Sequence, residues 1–458
     1  MTRVILLTFS FIIAAAGGYI AYHLLNPETL NPAIATFYKL DEEAYIKDNG
    51  YIGIMGVNAP AGVQDTYDWA LTLVNNNWQE QLNYKAKQES GVPPDHITQL
   101  ASLFDVWDSI PDKLSIRHYH PQMINCWLKK GWLLPNKDLV QTCDNSQELA
   151  NLVQDNALLL TRYRSQFNHN RFVGLPQVGG VLIAKDMIYD QEIFIAYLVT
   201  LEHSHPDEAL QEWMKNAKFL KGALADQTNT ITRSVVMAMY RETLSILPFL
   251  LGSNATLAAK YEKQLLEILV PYGPKDMNIA ATVKMDYYFL SHDVRQFDTH
   301  NQNKLYQYGQ DEISLAQTPP SHLAEAETAF MERYSYPKFP DNMTKEDVER
   351  LSPNELKQLV AKLPADTQMD WIISSLTGGA ELVKSMAGYD AIARILNLYV
   401  QIRAKGIASD GVAAFIRSSP AKLYDPFTER PFGYDADAKL IYFLPLDVPG
   451  GKYGLILN

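Results

Sequence analysis

Three sets of residues in this 458-residue chain have types and spacings that could do chemistry. The first is histidine. Arg117-His118-Tyr119-His120 and Glu202-His203-Ser204-His205 each place two imidazoles at i and i+2. On a strand such a pair shares a face and could grip a metal. A zinc site needs three or four ligands, and neither cluster supplies the third at a recognised spacing. Histidines of loops and helix ends fit the same pattern, so both readings of His118, His120, His203 and His205 stand.

The second set is Arg233, Arg241 and Glu242, charges set in the apolar stretch TITRSVVMAMYRETLSILPFLL. A charge buried alone there costs several kcal/mol, so each must be paired or turned to a cleft. One reading is a ligand pocket in which an arginine grips a carboxylate or phosphate. The other is an internal salt bridge. The third set is Asp435 and Asp437, two carboxylates that could hold calcium. An EF-type loop needs more oxygen ligands and a glycine at its sixth position, where Leu440 stands if Asp435 is first. Aspartates also make local hydrogen bonds in turns, which explains this pair more simply.

No established catalytic motif accompanies these residues. GxSxG, GxxxxGK[ST], HExxH, CxxC and CxxCH are all absent. No cofactor is implied, and the balance leans away from an enzyme. A carboxylate pair of the glycosidase kind needs closeness in space rather than fixed spacing, so sequence does not test for one. The 26 tyrosines and 7 tryptophans suit a sugar or peptide groove and equally suit a core.

The element that must position the whole chain is its N-terminal segment. Val4 to Leu25 is an apolar run whose only strongly polar member is His23. At about 1.5 Å per residue such a helix spans roughly 30 Å, the thickness of a bilayer core. Asn26-Pro27 stops it. Arg3 lies on the short side, and beyond the segment no Lys or Arg occurs until Lys39. The positive-inside rule then puts the N-terminus in the cytoplasm and the body across the membrane. Ala14-Ala15-Ala16 offers a rival reading, a signal peptide cut after Ala16.

Cys126 and Cys143, the only cysteines, fall in the part expected to face outward. Their even count and 16-residue gap suit a structural disulfide in an oxidising compartment. The closed loop would constrain the unfolded chain by roughly 3 kcal/mol. A net charge of −12 argues against nucleic acid, which needs clustered cations.

Beyond a tether over 26–40, residues 41–405 read as a helical body. Leu210, Trp213, Met214, Ala217, Leu220 and Leu224 fall on one helix face behind a start at Ser204-Pro206. Thr230 to Leu251 is apolar enough to suggest a second span, but its charges and Pro248 predict a buried, kinked core helix. Thr344-Lys-Glu-Asp347 and Ser352-Pro-Asn-Glu355 are capping boxes. The Gln-, Asn-, Pro- and Ser-rich stretch Phe297 to Asp341 is expected to be a long surface loop around one helix, 321–334, and helical spacing runs from Gln368 to Ala404 with a break near Gly378-Gly379. Glycines 50, 53, 56 and 62 predict a tight, close-packed turn or short strand in a structural loop rather than a dinucleotide site. Residues 406–458 form a separate C-terminal element, with a β-hairpin predicted from Phe432-Gly-Tyr434 and Leu440-Ile-Tyr-Phe443.

The expected fold is therefore mainly α: one N-terminal transmembrane helix over 1–25, a large extracytoplasmic helical body and a small C-terminal β-hairpin. The piece YDPFTERPFGYDADAKLIYF resembles a terminal hairpin of bacterial envelope proteins. With the anchor and helical body, the chain resembles the uncharacterised single-pass envelope proteins of Gram-negative bacteria. The resemblance implies an inner-membrane anchor with the body in the periplasm, and it implies no activity. The functional expectation is a non-enzymatic binding or scaffold component of the envelope. Its partners would be the bilayer, through residues 4–25, and another envelope protein or cell-wall component. The alternatives are an envelope hydrolase with a spatially assembled carboxylate or histidine site, and a small-molecule or sugar sensor anchored by a residue such as Arg241.

Overall fold

The computed structural model describes residues 48–74, 110–115, 124–129, 132–133, 143–174, 184–226, 230–252, 254–273, 276, 279–280, 282–283, 299–334, 378–444 and 452–457. The protein is mainly helical with a small antiparallel sheet at its C-terminus. It divides into two compact units. Of the described residues, the larger holds those within 43–226, 232–276 and 386–458, and the smaller holds those within 227–231 and 277–385. The apolar segment over 4–25, the tether and both capping boxes lie outside the described residues.

In the larger unit the elements run α1 (Gly50–Val57), α2 (Asn125–Lys129), β1 (Trp132–Leu133), α3 (Ser146–Asp155), α4 (Ala157–Ser165), α5 (Ala184–Glu202), α6 (Pro206–Ala225), α7 (Thr230–Leu251, from Thr232) and α8 (Ala255–Ile268). After α9 (Thr299–Ala316) and α10 (Leu323–Tyr334) of the smaller unit come α11 (Gly378–Ala404, from Met386 in the larger unit), α12 (Ser409–Ser418), β2 (Gly433–Asp435), β3 (Leu440–Phe443) and β4 (Tyr453–Ile456).

Helix α5 lies against α3, α4 and α6, and α6 also carries α8. The stripe read from the sequence is the buried face of α6: Leu210, Trp213, Ala217, Leu220 and Leu224 are all interior. Proline opens this helix at its first residue, with Asp207 and Glu208 in the first turn, as its fixed φ and the helix dipole favour. Helix α7 is the core helix that its interrupting charges predicted. It is the one described helix long and apolar enough to cross a membrane, and most of it is buried inside the protein. Pro248 removes one backbone donor from the helix interior and crowds the preceding turn. Two indoles donate into that turn: Trp213 Nε1 to the Thr243 carbonyl at 2.6 Å, and Trp132 Nε1 to the Ser245 carbonyl at 2.9 Å.

The glycine-rich stretch differs from the expected loop or strand. Gly50–Val57 is an α-helix with every residue buried, capped by Asn49, whose side chain accepts from Tyr51 N. Glycine is a poor helix former, but glycines three apart share a face, and that face is where other chain segments press in. A Cβ on Gly53 would stand 1.8 Å from Gln166 Oε1, and one on Gly56 would stand 2.3 Å from the Thr66 carbonyl. Tertiary closeness decides the element here. Arg162 closes the far end, donating from Nη1 to the carbonyls of Val57 and Ala59 and from Nη2 to those of Pro60 and Val63. One buried guanidinium thus takes over carbonyls that the helix end and its loop leave open.

The predicted hairpin forms as β2 and β3, with Tyr434 opposite Ile441. The sheet is larger than a hairpin, because β4 pairs with β3 and β1 pairs with β4, giving the order β1-β4-β3-β2. Trp132 stands opposite Leu455, so a short strand from the cysteine region completes a sheet otherwise built at the C-terminus. Cys126 and Cys143 form the expected disulfide, with Cα atoms 5.9 Å apart. Beside it Trp127 donates to Asn145 Oδ1 at 2.8 Å and packs edge-on against Phe249.

In the smaller unit α9, a helix where composition predicts a surface loop, lies against α10 and buries Leu305 and Tyr308. Tyr308 meets Phe330 and Tyr334, and Tyr334 donates to Asp311 Oδ2 at 2.5 Å. Asp311 also pairs with Arg333 at 2.7 Å.

The glycine contacts generate a paired prediction. Gly53→Ala must displace Gln166, and overpacking of this kind costs about 1–3 kcal/mol. Gly222→Ala, on the exposed side of α6 with nothing near its Cβ position, should instead be neutral or raise stability by up to about 1 kcal/mol. Denaturant midpoints of the two variants should move in opposite directions or differ clearly in size.

Candidate functional site

Four helices of the larger unit meet through a buried set of uncharged polar side chains. On α5, Gln191 accepts the Tyr163 hydroxyl of α4 at 2.6 Å and the Asn216 amide of α6 at 3.1 Å. Its own Nε2 donates to Thr243 Oγ1 of α7 at 2.9 Å. Thr243 Oγ1 also accepts from Asn216 Nδ2 at 3.0 Å and donates back to the Met239 carbonyl. Gln191, Asn216, Thr243 and Tyr163 are each 0% exposed, so every bond is made without competing water. The network holds α4, α5, α6 and α7 in one register.

Acidic groups flank this network. Next to Gln191 stand Asp190 and Glu192, and next to Thr243 stands Glu242. All three are buried, and among the described residues neither oxygen of Asp190 or Glu192, nor Oε2 of Glu242, has a hydrogen-bond partner. Burial, with the Glu242 carboxyl adding to it, pushes Glu192 up to about 9. Burial pushes Glu242 up to about 7, with Arg241 pulling the other way. Burial also holds the Asp190 carboxyl well above the usual range, aided by Asp186 and opposed by Lys113. Around neutral pH Glu192 is therefore a neutral acid, and Glu242 sits close to its titration point.

Arg241 is half-buried and hydrogen-bonded to the phenol oxygen of Tyr389, with Glu242 and Tyr453 nearby. Tyr389 from α11 and Tyr453 from β4 are also partly open to solvent. This corner combines one guanidinium, two phenols and a carboxyl group. Chemically it can hold an anion through Arg241 or move a proton through Glu242.

The structure brings Arg241 and Glu242 together and leaves Arg233 elsewhere. Arg233 lies two turns earlier on α7, fully buried, and donates to the Asp276 carbonyl at 2.9 Å. Burial lowers it to about 10, with Tyr272 and Asp276 opposing. His203 and His205 do not lie on a strand. His203 directly follows α5, where its Nδ1 is 2.9 Å from the Val199 carbonyl one turn back, and its ring sits by Trp127 and Phe249. His205 precedes α6, where its carbonyl receives the first helical amide. Both are exposed, and among the described residues no group of three or more histidine, cysteine or acidic side chains could hold a metal. His118 and His120 lie outside the described residues. Asp435 serves the hairpin turn, accepting from Ala438 N at 3.1 Å.

Asp190 and Glu192 escape a reading that looks for spaced motifs. A signal was available: Asp-Gln-Glu at 190–192 interrupts IYDQEIFIAYLV, an otherwise apolar helix. Three successive helical residues cover most of the circumference, so they cannot all reach solvent from a buried helix. Comparison with protein-family models, with curated proteins and with solved structures finds no match for this chain.

Thr243→Val keeps the shape at the centre of the network and deletes its hydroxyl. Gln191 and Asn216 then lose an acceptor in a dry interior, at a cost of about 1–3 kcal/mol. Chemical denaturation should show that loss with an unchanged m-value, the sign of an intact fold.

Proposed function

We propose that the protein is a single-pass inner-membrane protein of a Gram-negative cell, anchored through residues 4–25 with its helical body in the periplasm. In this reading it is a non-enzymatic binding or scaffold component of the envelope, whose partner is another envelope protein or a cell-wall component. The observation that carries the reading is the Cys126–Cys143 disulfide, found in the same chain as an N-terminal apolar run of bilayer length. Disulfides persist in oxidising compartments, and a run of that length buries all its backbone groups when helical in lipid. The acidic body and the absence of a basic cluster beside the apolar run disfavour nucleic acid and anionic lipid heads as partners.

A second reading, small-molecule binding or hydrolysis, is favoured by the corner formed by Arg241, Glu242, Tyr389 and Tyr453. Thermal-shift measurements with cell-wall fragments distinguish the two. A shift that vanishes in Arg241→Leu, with the unliganded variant still folded, supports the second. No shift from any fragment supports the scaffold.

Alkaline extraction of membranes, followed by thiol labelling without reductant, tests the main proposal. The chain should stay in the pellet, and Cys126 and Cys143 should remain unlabelled until a reductant is added. Release into the supernatant would turn residues 4–16 into part of a discarded signal. Labelling of both thiols in untreated cells would place the body in the cytoplasm.

A further inference from the structure

We propose that the contact between α5 and α7 is a proton-dependent latch: Glu192 and Glu242 must stay protonated for the two helices to remain tightly packed, and loss of those protons loosens the body. The geometry carries the argument. Gln191 of α5 is bonded to Thr243 of α7 at 2.9 Å, and Glu192 and Glu242 are the adjacent residues on the same two helices. Glu192 is 0% exposed with neither oxygen bonded, and Glu242 Oε2 is likewise without a partner. Charging both would set two buried carboxylates against each other. Among the described residues Arg241 is the one cation acting on the pair, and it can balance a single charge.

The groups around the latch come from every element packed on it. On α5 itself Asp190 and Asp186 add negative charge, which Lys113 of the 110–115 segment opposes. From α4 comes the Tyr163 phenol, held far up by burial and by Asp190 and Glu242. From α6 comes Glu212, already neutralised by Arg164 at 2.8 Å and Lys215 at 2.7 Å. Tyr389 of α11 and Tyr453 of β4 face Arg241. The buried residues of α3 are Leu149 and Leu152. None of these neighbours supplies a second positive charge at Glu192.

The shifts agree in direction and define the window. Both carboxyls titrate higher in the folded chain than the ordinary value of 4.5, Glu242 at about 7 and Glu192 at about 9. In the folded chain they hold protons that the unfolded chain has already released. Their contribution to stability is full below pH 4.5 and is lost progressively as pH rises through 7 and 9. The latch is closed in mild acid and opens in alkali.

The test uses the full chain, wild type and Glu192→Gln. The thermal midpoint of the wild type should fall steadily between pH 5 and pH 9. Glu192→Gln, which keeps the shape and cannot ionise, should flatten that fall and raise the midpoint at pH 8 by at least about 3 °C. Infrared spectroscopy of the wild type at pH 7.5 should show the carbonyl stretch of a protonated carboxyl group, reduced in the variant. A wild-type spectrum with no protonated carboxyl at pH 7.5 overturns the proposal, whether or not the variant folds. Equal pH slopes in the two proteins overturn it as well.

Discussion

The structure of the larger unit depends on one constraint: the polar groups inside its helical core have no water to turn to. Gln191, Thr243, Asn216 and Tyr163 answer it by bonding to one another, and in doing so they set the register of four helices. Apolar contacts alone tolerate slippage, because one leucine face fits another in several registers. A closed ring of donors and acceptors does not, since a shift of one turn would orphan several buried groups at once. The aliphatic residues around the ring drive the burial, and the ring selects one packing among many.

The same constraint explains the less comfortable neighbours. Trp213 and Trp132 spend their indole donors on α7 carbonyls just before Pro248, where the proline disturbs the helix. Arg162 serves four carbonyls at and beyond the end of α1. Among the described residues, both oxygens of Asp190 and of Glu192 and Oε2 of Glu242 are carboxyl atoms for which no such partner was built. A carboxyl group without a partner in a dry interior stays neutral, which converts a packing problem into a dependence on protons.

The disulfide and the small sheet act together at one edge of this unit. Cys126 and Cys143 bracket the segment that supplies β1, and β1 extends the sheet made by β2, β3 and β4. Trp132 on β1 packs against Tyr453 and donates to α7, so that segment is tied to both the sheet and the core helix. Tyr453 in turn stands by Arg241. The partly open corner with Arg241 thus draws its parts from α7, α11 and β4, with Arg241 and Tyr453 lying 212 positions apart.

The sequence by itself determined the helical class, the buried face of α6, the core position of α7 despite its membrane-like composition, the cysteine pair and the β2–β3 hairpin. Each rests on a local signal: a 3.6-residue period, charges interrupting an apolar run, a pair of rare residues, a turn between alternating strands. Tertiary structure alone decided that Gly50–Val57 is a helix, because the closeness of Gln166 and Thr66 outweighs glycine's weak propensity. It decided that Arg241 keeps company with Glu242 and Tyr389 while Arg233 goes to Asp276. It placed His203 and His205 at helix ends, where no shared strand face exists. And it set Glu192 beside Glu242, two carboxyl groups 50 positions apart whose chemistry exists only because the fold dries the space around them.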